Sequence, residues 1–158
     1  MNNKTLKKLL PYIIFVLSMI ATVMIFFPFL TYNDTTFTGL EIAFGTTLVN
    51  VELFGIDDLA SAVLPFNMYA VAAFFAPLIG GLFTIVFKKG QVFSLAMFVV
   101  AAAMFFMIDD YVLIEYTLLG STSTLEVDWG NSPFLFIAAF ASIFAAIGEM
   151  LHISMTDQ

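Results

Sequence analysis

The sequence predicts a membrane-spanning four-helix bundle that carries a small extracellular antiparallel β-sheet. Hydrophobic residues make up 61% of the 158 residues, against roughly 45–50% in an ordinary soluble domain. Charged residues make up only 11%, against about 25%. A chain of this length forms one domain and cannot bury so much apolar surface in a soluble core. The composition therefore excludes an ordinary soluble enzyme.

Four segments are long and apolar enough to be transmembrane helices, which need about 20 residues to cross roughly 30 Å of hydrocarbon. They are residues 9–30, 63–87, 91–108 and 133–155. The first exceeds the apolar region of a signal peptide and no small-residue cleavage pattern follows it, so we expect an uncleaved anchor. The fourth contains Glu149 and His152, and it spans only if Glu149 lies near one membrane boundary.

Charge is distributed unevenly along the chain, whose net charge is −7. All five lysines precede the first span or lie in the turn at 88–89, whereas ten of the twelve acids lie in the two segments between spans on the opposite side. The positive-inside rule places the lysines and both termini in the cytoplasm. We therefore predict a multi-pass protein of a bacterial plasma membrane. The acidic balance gives no support for nucleic-acid binding.

The two predicted outer segments, residues 35–54 and 111–129, show the period-two alternation of β-strands. Apolar residues alternate over 40–44, 49–53 and 124–129. We expect both segments to join in one antiparallel sheet of three to five strands, because an isolated hairpin is marginally stable in water. We also expect Asp57 or Asp58 to cap a short helix, Ser132 and Pro133 to begin the fourth span, and Trp129 to lie at the membrane interface.

This arrangement of four helices, a long first outer loop, a short inner turn and a shorter second outer loop resembles the claudin-type tetraspan plan. The resemblance implies a four-helix bundle with an outer sheet. The family's outer-loop signature pairs a tryptophan, a Gly-Leu-Trp element and two cysteines; here Gly39-Leu40 lacks the tryptophan and the chain has no cysteine. The stretch from Thr38 to Gly45 is also similar to an element of uncharacterised small four-helix bacterial membrane proteins.

Small residues at four-residue spacing indicate where membrane helices contact each other, because lipid tails provide no hydrophobic drive for association. The second and fourth predicted spans both carry such ridges. We predict that these two helices form the centre of the bundle or that one faces a partner subunit. The predicted packing residues are Ala72, Ala76 and Gly80 in the second span, and Ala138, Ser142 and Ala146 in the fourth.

Glu149 is the residue that most invites a functional interpretation, because an intramembrane acid is costly to bury. It follows Ala141 and Ala145 at four-residue spacing, and His152 lies one turn later on the same side. One interpretation is a proton or cation relay formed by Glu149 and His152. The alternatives are a structural role, in which Glu149 reaches the cytoplasmic interface and pairs with Lys88, Lys89 or His152, and a subunit contact.

Two acidic pairs at the outer helix ends are weak candidates for a hard divalent cation site, since oxygen ligands suit such ions. They are Asp57-Asp58 and Asp109-Asp110; helix caps and solvated charges explain them equally well. The sequence contains no phosphate-binding glycine loop, serine triad or paired-histidine motif. We therefore expect no cofactor and no enzymatic activity.

The sequence leaves three functions open. The first is a non-enzymatic accessory or assembly subunit of a larger membrane complex, which presents its sheet outside and contacts lipids and other subunits or copies of itself. The second is a small oligomeric cation channel or transporter that uses Glu149. The third is a lipid-binding or quinone-binding protein, which sequence cannot distinguish from ordinary lipid contact by the 20 phenylalanines.

Overall fold

The computed structural model describes the backbone of residues 3–53, 56–87 and 90–156, and side chains within 5–50, 60–87 and 90–156. The chain is mostly helical and has two small antiparallel sheets. Within the described residues the helices are α1 (Asn3–Val23), α2 (Gly39–Phe44), α3 (Met68–Val86), α4 (Gln91–Phe106), α5 (Ile108–Tyr111) and α6 (Pro133–Thr156). The strands are β1 (Pro28–Tyr32), β2 (Thr35–Thr38), β3 (Thr46–Leu53), β4 (Ile56–Leu64), β5 (Ile114–Leu118), β6 (Ser121–Leu125) and β7 (Gly130–Asn131).

The four long helices pack in a ring, α1 against α3 and α6, and α4 against the same two helices. Of the helices in the described part of the chain, three are long and apolar enough to cross a membrane: Thr5–Phe26 (α1 from its third residue onward, with the short 3₁₀ turn that follows it), α3 and α6. The fourth long helix, α4, has 16 residues and is about 24 Å long at ~1.5 Å per residue. The short helix α5 follows it after one residue.

The strands form two sheets rather than the single sheet predicted. One sheet has the order β2-β1-β7 and the other β3-β4-β5-β6. The predicted segments 35–54 and 111–129 do not pair directly in the described structure: β1 pairs with β7 and β4 pairs with β5, and both β1 and β4 lie outside residues 35–54. Both sheets lie at the helix end opposite Lys7, whose ammonium donates to the Met155 carbonyl at 2.6 Å. The polar connections are thus concentrated at one end of the helices.

Residues 39–44 form helix α2 and not the predicted strand. Thr38 caps this helix, because its hydroxyl accepts the Glu41 N–H while the Glu41 carboxylate accepts the Thr38 N–H at 2.7 Å. This reciprocal capping box fixes the first helical turn. Residues 56–64 are strand β4, so the predicted helix capped by Asp57 or Asp58 is also wrong.

The helix predicted from residue 63 begins at Met68, because Val63 and Leu64 still belong to β4. Asn67 supplies the N-cap: its Oδ1 accepts from the N–H groups of Tyr69 and Ala70 at 3.0 and 3.1 Å. Its Nδ2 donates to the Tyr111 carbonyl at 2.8 Å and so ties α3 to the end of α5. By contrast, Ser132 and Pro133 do begin α6, where Ser132 Oγ accepts the Phe134 N–H.

Aromatic side chains join the sheets to the helices. Phe29 of β1, Phe74 of α3 and Phe105 of α4 are fully buried, with ring centroids 4.7 to 5.8 Å apart. Trp129 is buried: its indole N–H donates to the Val112 carbonyl at 2.8 Å, and it follows β6 outside any strand. Its ring meets Phe37 edge-on at 5.9 Å. This core fixes both sheets on the helix ends.

Candidate functional site

A group of polar side chains lies inside the helices at the end opposite the sheets. Thr84 of α3 and Glu149 and His152 of α6 are all buried, and Glu149 has no exposed surface. The Thr84 hydroxyl lies 3.0 Å from Glu149 Oε2 in donor geometry. His152 Nδ1 lies 3.7 Å from Glu149 Oε1, which is too long for a hydrogen bond. Glu149 and His152, the two candidates from the sequence, are therefore adjacent, and Thr84 contacts Glu149.

A cleft of about 360 Å³ leads from this group to the surface, and we call it the helix-end cleft. Its lining residues come from the beginning of α1, the end of α3, the beginning of α4 and the end of α6. They are Lys7, Lys8, Pro11, Tyr12, Thr84, Ile85, Gln91, His152 and Thr156. Thr84 and His152 thus contact Glu149 on one side and the cleft on the other.

Sequence reasoning missed Gln91 and did not connect Thr84 with Glu149. Gln91 Nε2 lies 3.3 Å from His152 Nδ1 and 3.5 Å from Thr156 Oγ1. Thr84 lies four residues after Gly80 on the small-residue ridge of α3, so the sequence predicts which face of α3 carries its side chain. The sequence does not predict that this side chain contacts Glu149, which is 65 residues away. Lys88 and Lys89, the other suggested partners of Glu149, lie outside the described residues.

The acidic candidates do not assemble into a metal site among the described side chains, where no group of three or more suitable ligands occurs. The side chains of Asp57 and Asp58 lie outside that set. Asp109 Oδ2 accepts from Asn131 Nδ2 at 3.0 Å, which ties α5 to β7. Asp109 and Asp110 do line an open pocket with Glu126 and Asp128, so this end of the molecule is strongly acidic.

A second cleft, of about 490 Å³, lies between the two sheets, and we call it the sheet cleft. One wall comes from β1, β2 and the turn between them. The other wall comes from the four-stranded sheet. Its lining includes Tyr32, Phe37, Glu41, Val49, Ala62, Ile114, Tyr116 and Leu125. The lining is predominantly apolar and also includes hydroxyl groups and one carboxylate, that of Glu41.

The apolar lining of the sheet cleft continues along one face of the four-stranded sheet. Residues directly opposite each other in antiparallel strands point to the same face. The pairs Val49–Ala62, Ala62–Tyr116 and Ile114–Leu125 are opposite, and Leu118 lies on the same face because it is two residues after Tyr116. Ile114 is buried, but Val49, Tyr116, Leu118 and Leu125 are 41–56% exposed. We call these four residues the apolar sheet face.

This chain matches no protein-family model, no curated protein and no solved structure. Its function must therefore be argued from the chemistry of its own residues.

Five of the six predicted packing residues lie in the interior, and one does not. Ala76, Gly80, Ala138, Ser142 and Ala146 are buried, whereas Ala72 is exposed and its neighbour Ala73 is buried instead. A Cβ at Gly80 would lie 3.0 Å from the Phe98 ring, so this glycine brings α3 and α4 close together. The Ser142 hydroxyl donates to the Ala138 carbonyl of its own helix at 2.9 Å, so it adds no polar link between helices.

Proposed function

We propose that the chain is a non-enzymatic accessory or assembly subunit of a membrane complex, with a claudin-like plan of four spans and both termini cytoplasmic. Its two-sheet end lies outside the membrane and binds a partner subunit through the apolar sheet face. The single observation that carries this proposal is that face itself. Exposed apolar patches on a water-facing surface are typical of protein–protein interaction sites.

The charges around the face restrict the partner. Every lysine of the sequence lies at residues 4–8 or 88–89, so the segments that form the sheets carry no basic side chain. Asp34, Glu41, Glu126 and Asp128 are at the sheet end, and Glu41 lines the sheet cleft. Like charges repel across an interface. The partner therefore presents an apolar centre with a basic rim, which a second copy of this acidic module does not offer.

A paired substitution tests the docking face. Leu118→Glu places a charge in the apolar sheet face, where the side chain is already 56% exposed and the fold tolerates the change. Thr122→Glu, the matched control, places the same charge on the opposite face of the same sheet, since Thr122 pairs with Thr117. Extraction in mild detergent should yield a stoichiometric partner with the native chain and with Thr122→Glu. With Leu118→Glu, the affinity for the partner should fall at least tenfold, which corresponds to about 1.4 kcal/mol of binding free energy, and less partner should be recovered.

Recovery of the native chain only as a lone monomer contradicts the proposal. Equal recovery of the partner with both variants contradicts the assigned face.

A channel or transporter that uses Glu149 is the second candidate, and the buried carboxylate beside a polar cleft favours it. Toward the sheets, however, the buried side chains of the described residues carry no charge, and the hydroxyls of Ser18, Ser94 and Ser142 each donate to a carbonyl three or four residues earlier. Ile14, Phe98 and Ala145 are fully buried beside one another, and the Phe29, Phe74 and Phe105 rings lie nearer the sheets. Cation-selective pores require polar or charged groups along the conduction path. The accessory role therefore explains more of the molecule.

A further inference from the structure

The two oxygens of the buried Glu149 carboxyl group have unequal surroundings. Oε2 lies 3.0 Å from the Thr84 hydroxyl. Oε1 is completely buried and has no hydrogen-bond partner among the described residues. A buried carboxylate oxygen without a donor carries the full cost of its lost hydration. Glu149 Oε1 is therefore a buried acceptor without a donor among the described residues.

The hydrogens available from Thr84 do not remove this deficit. A threonine hydroxyl has one hydrogen, and Thr84 Oγ1 has two acceptors, the Gly80 carbonyl at 3.1 Å and Glu149 Oε2 at 3.0 Å. One additional proton on the carboxyl group supplies the second hydrogen. It also removes the negative charge from an interior that contains no cation in contact with Glu149 among the described side chains.

His152 gives that proton a second partner. Gln91 Nε2 lies 3.3 Å from His152 Nδ1 and 3.4 Å from its Nε2, and Nδ1 lies 3.7 Å from Glu149 Oε1. In the neutral imidazole with its hydrogen on Nε2, Nδ1 has one lone pair, which accepts a single donor. A small rotation of His152 away from Gln91 brings a proton on Oε1 into hydrogen-bond range of that lone pair. The proton then lies between the carboxyl oxygen and the imidazole.

Access to this position runs through the helix-end cleft. Thr84 and His152 line this cleft, and the other titratable residues of its described lining are Lys7, Lys8 and Tyr12 of α1. The Lys7 ammonium donates to the Met155 carbonyl at 2.6 Å. Helices α3 and α4 contribute Thr84, Ile85 and Gln91, which are all neutral. Toward the sheets, the buried side chains of the described residues include no ionisable group: Ile14 and Phe98 are apolar, and the Ser142 hydroxyl donates to a carbonyl of its own helix.

We propose that Glu149 is a proton-binding site that exchanges with water through the helix-end cleft and has no continuation toward the sheets. Hydronium in the cleft water gives a proton to the Glu149 carboxylate: one O–H bond of the hydronium breaks, an O–H bond on Glu149 forms, and a water molecule remains. The carboxylic acid that results is held by Thr84 and His152, and no electron is transferred. The site therefore responds to the pH on the Lys7 side without conducting protons across the helices. This proposal requires α6 to lie in a membrane, but it does not require the partner bound by the apolar sheet face.

The test is covalent labelling with dicyclohexylcarbodiimide of the full chain reconstituted in lipid vesicles. The O–H of a buried carboxylic acid adds across the C=N bond of the reagent, and acyl migration gives a stable N-acylurea that retains all atoms of both reactants. The label should appear at Glu149 and should be absent in Glu149→Gln, which keeps the side-chain shape. Leu118→Gln is the matched control, because it places a polar group in the apolar sheet face without adding a carboxyl group, and it should label normally.

The pH dependence on each side of the vesicle distinguishes the proposal from a through-going relay. A Ser154→Cys variant with an impermeant maleimide reports the orientation of the inserted chains, since the chain has no other cysteine. Above the titration midpoint, the labelling rate should fall about tenfold per pH unit on the Lys7 side. It should be unchanged by pH on the other side. Absence of label at Glu149, or a rate that follows the opposite side or ignores pH on both sides, overturns the proposal.

Discussion

Tyr111 shows how a single side chain connects α4, α5 and α3. Its hydroxyl donates to the Met104 carbonyl at 2.8 Å, and its own carbonyl accepts from the Asn67 cap of α3. Burial of the phenol, together with the negative charge of Asp109, raises the pKa of Tyr111 above its ordinary value. The folded chain therefore holds the phenolic proton more tightly than the unfolded chain does.

This difference in pKa between the folded and unfolded chain predicts that the folded chain loses stability at high pH. Because the pKa is higher in the folded state, unfolding releases a proton once the pH exceeds the ordinary tyrosine value of about 10. The contribution of Tyr111 is complete below that pH and declines as the pH rises above it. Tyr111→Phe lacks the titrating group, so the stability gap between the native chain and this variant should narrow above about pH 10. Thermal unfolding in detergent measures the gap, and a gap that stays constant between about pH 8 and 12 contradicts the assignment.

At the scale of elements, α1 and α3 pack closely against each other at Gly81. A Cβ at this position would meet Ser18 Oγ at a separation far below van der Waals contact, and Ser18 Cβ at 2.8 Å. Ser18 is fully buried and its hydroxyl donates to the Phe15 carbonyl at 2.7 Å, so it has no free space into which to move. The crossing of these two helices therefore depends on the absence of a side chain at Gly81.

Gly81→Ala should destabilise the chain by about 1–3 kcal/mol, the usual cost of overpacking a well-packed core. Adding Ser18→Gly to this variant removes the clashing atoms and should restore much of the lost stability. Gly130→Ala is the matched control, because a Cβ there would have ordinary contacts with Thr31, at 3.4 Å or more. Thermal unfolding of the four proteins provides the comparison. If Gly81→Ala and Gly130→Ala are equally stable, the close crossing is incorrect.

The elements also show which features a sequence predicts and which it does not. The long helices follow from uninterrupted apolar runs, and the start of α6 follows from Ser132-Pro133. Residues 39–44 are too few for periodicity to separate strand from helix, although the spacing of Thr38 and Glu41 contained the capping signal. The contact between Thr84 and Glu149 depends on how α3 and α6 pack, and no local pattern specifies it. The apolar sheet face likewise depends on pairing between distant strands.

At the scale of the whole molecule, the proposed function requires the two ends of the long helices to face different compartments. The sheets and their acids lie at one end, and the helix-end cleft with Lys7 and Lys8 lies at the other. Three helices of the described chain are long and apolar enough to span a membrane, and α4 with α5 extends alongside them. Both the proposed docking of a partner at the apolar sheet face and the proposed one-sided access to Glu149 depend on this arrangement.

The most direct test is the accessibility of single cysteines in intact cells, since the native chain has no cysteine. Thr122→Cys places an exposed thiol in β6, and Ser154→Cys places one near the end of α6. An impermeant maleimide should label Thr122→Cys in intact cells and should label Ser154→Cys only after the membrane is permeabilised. Labelling of both positions, or of Ser154→Cys alone, in intact cells contradicts the topology and with it the proposed function.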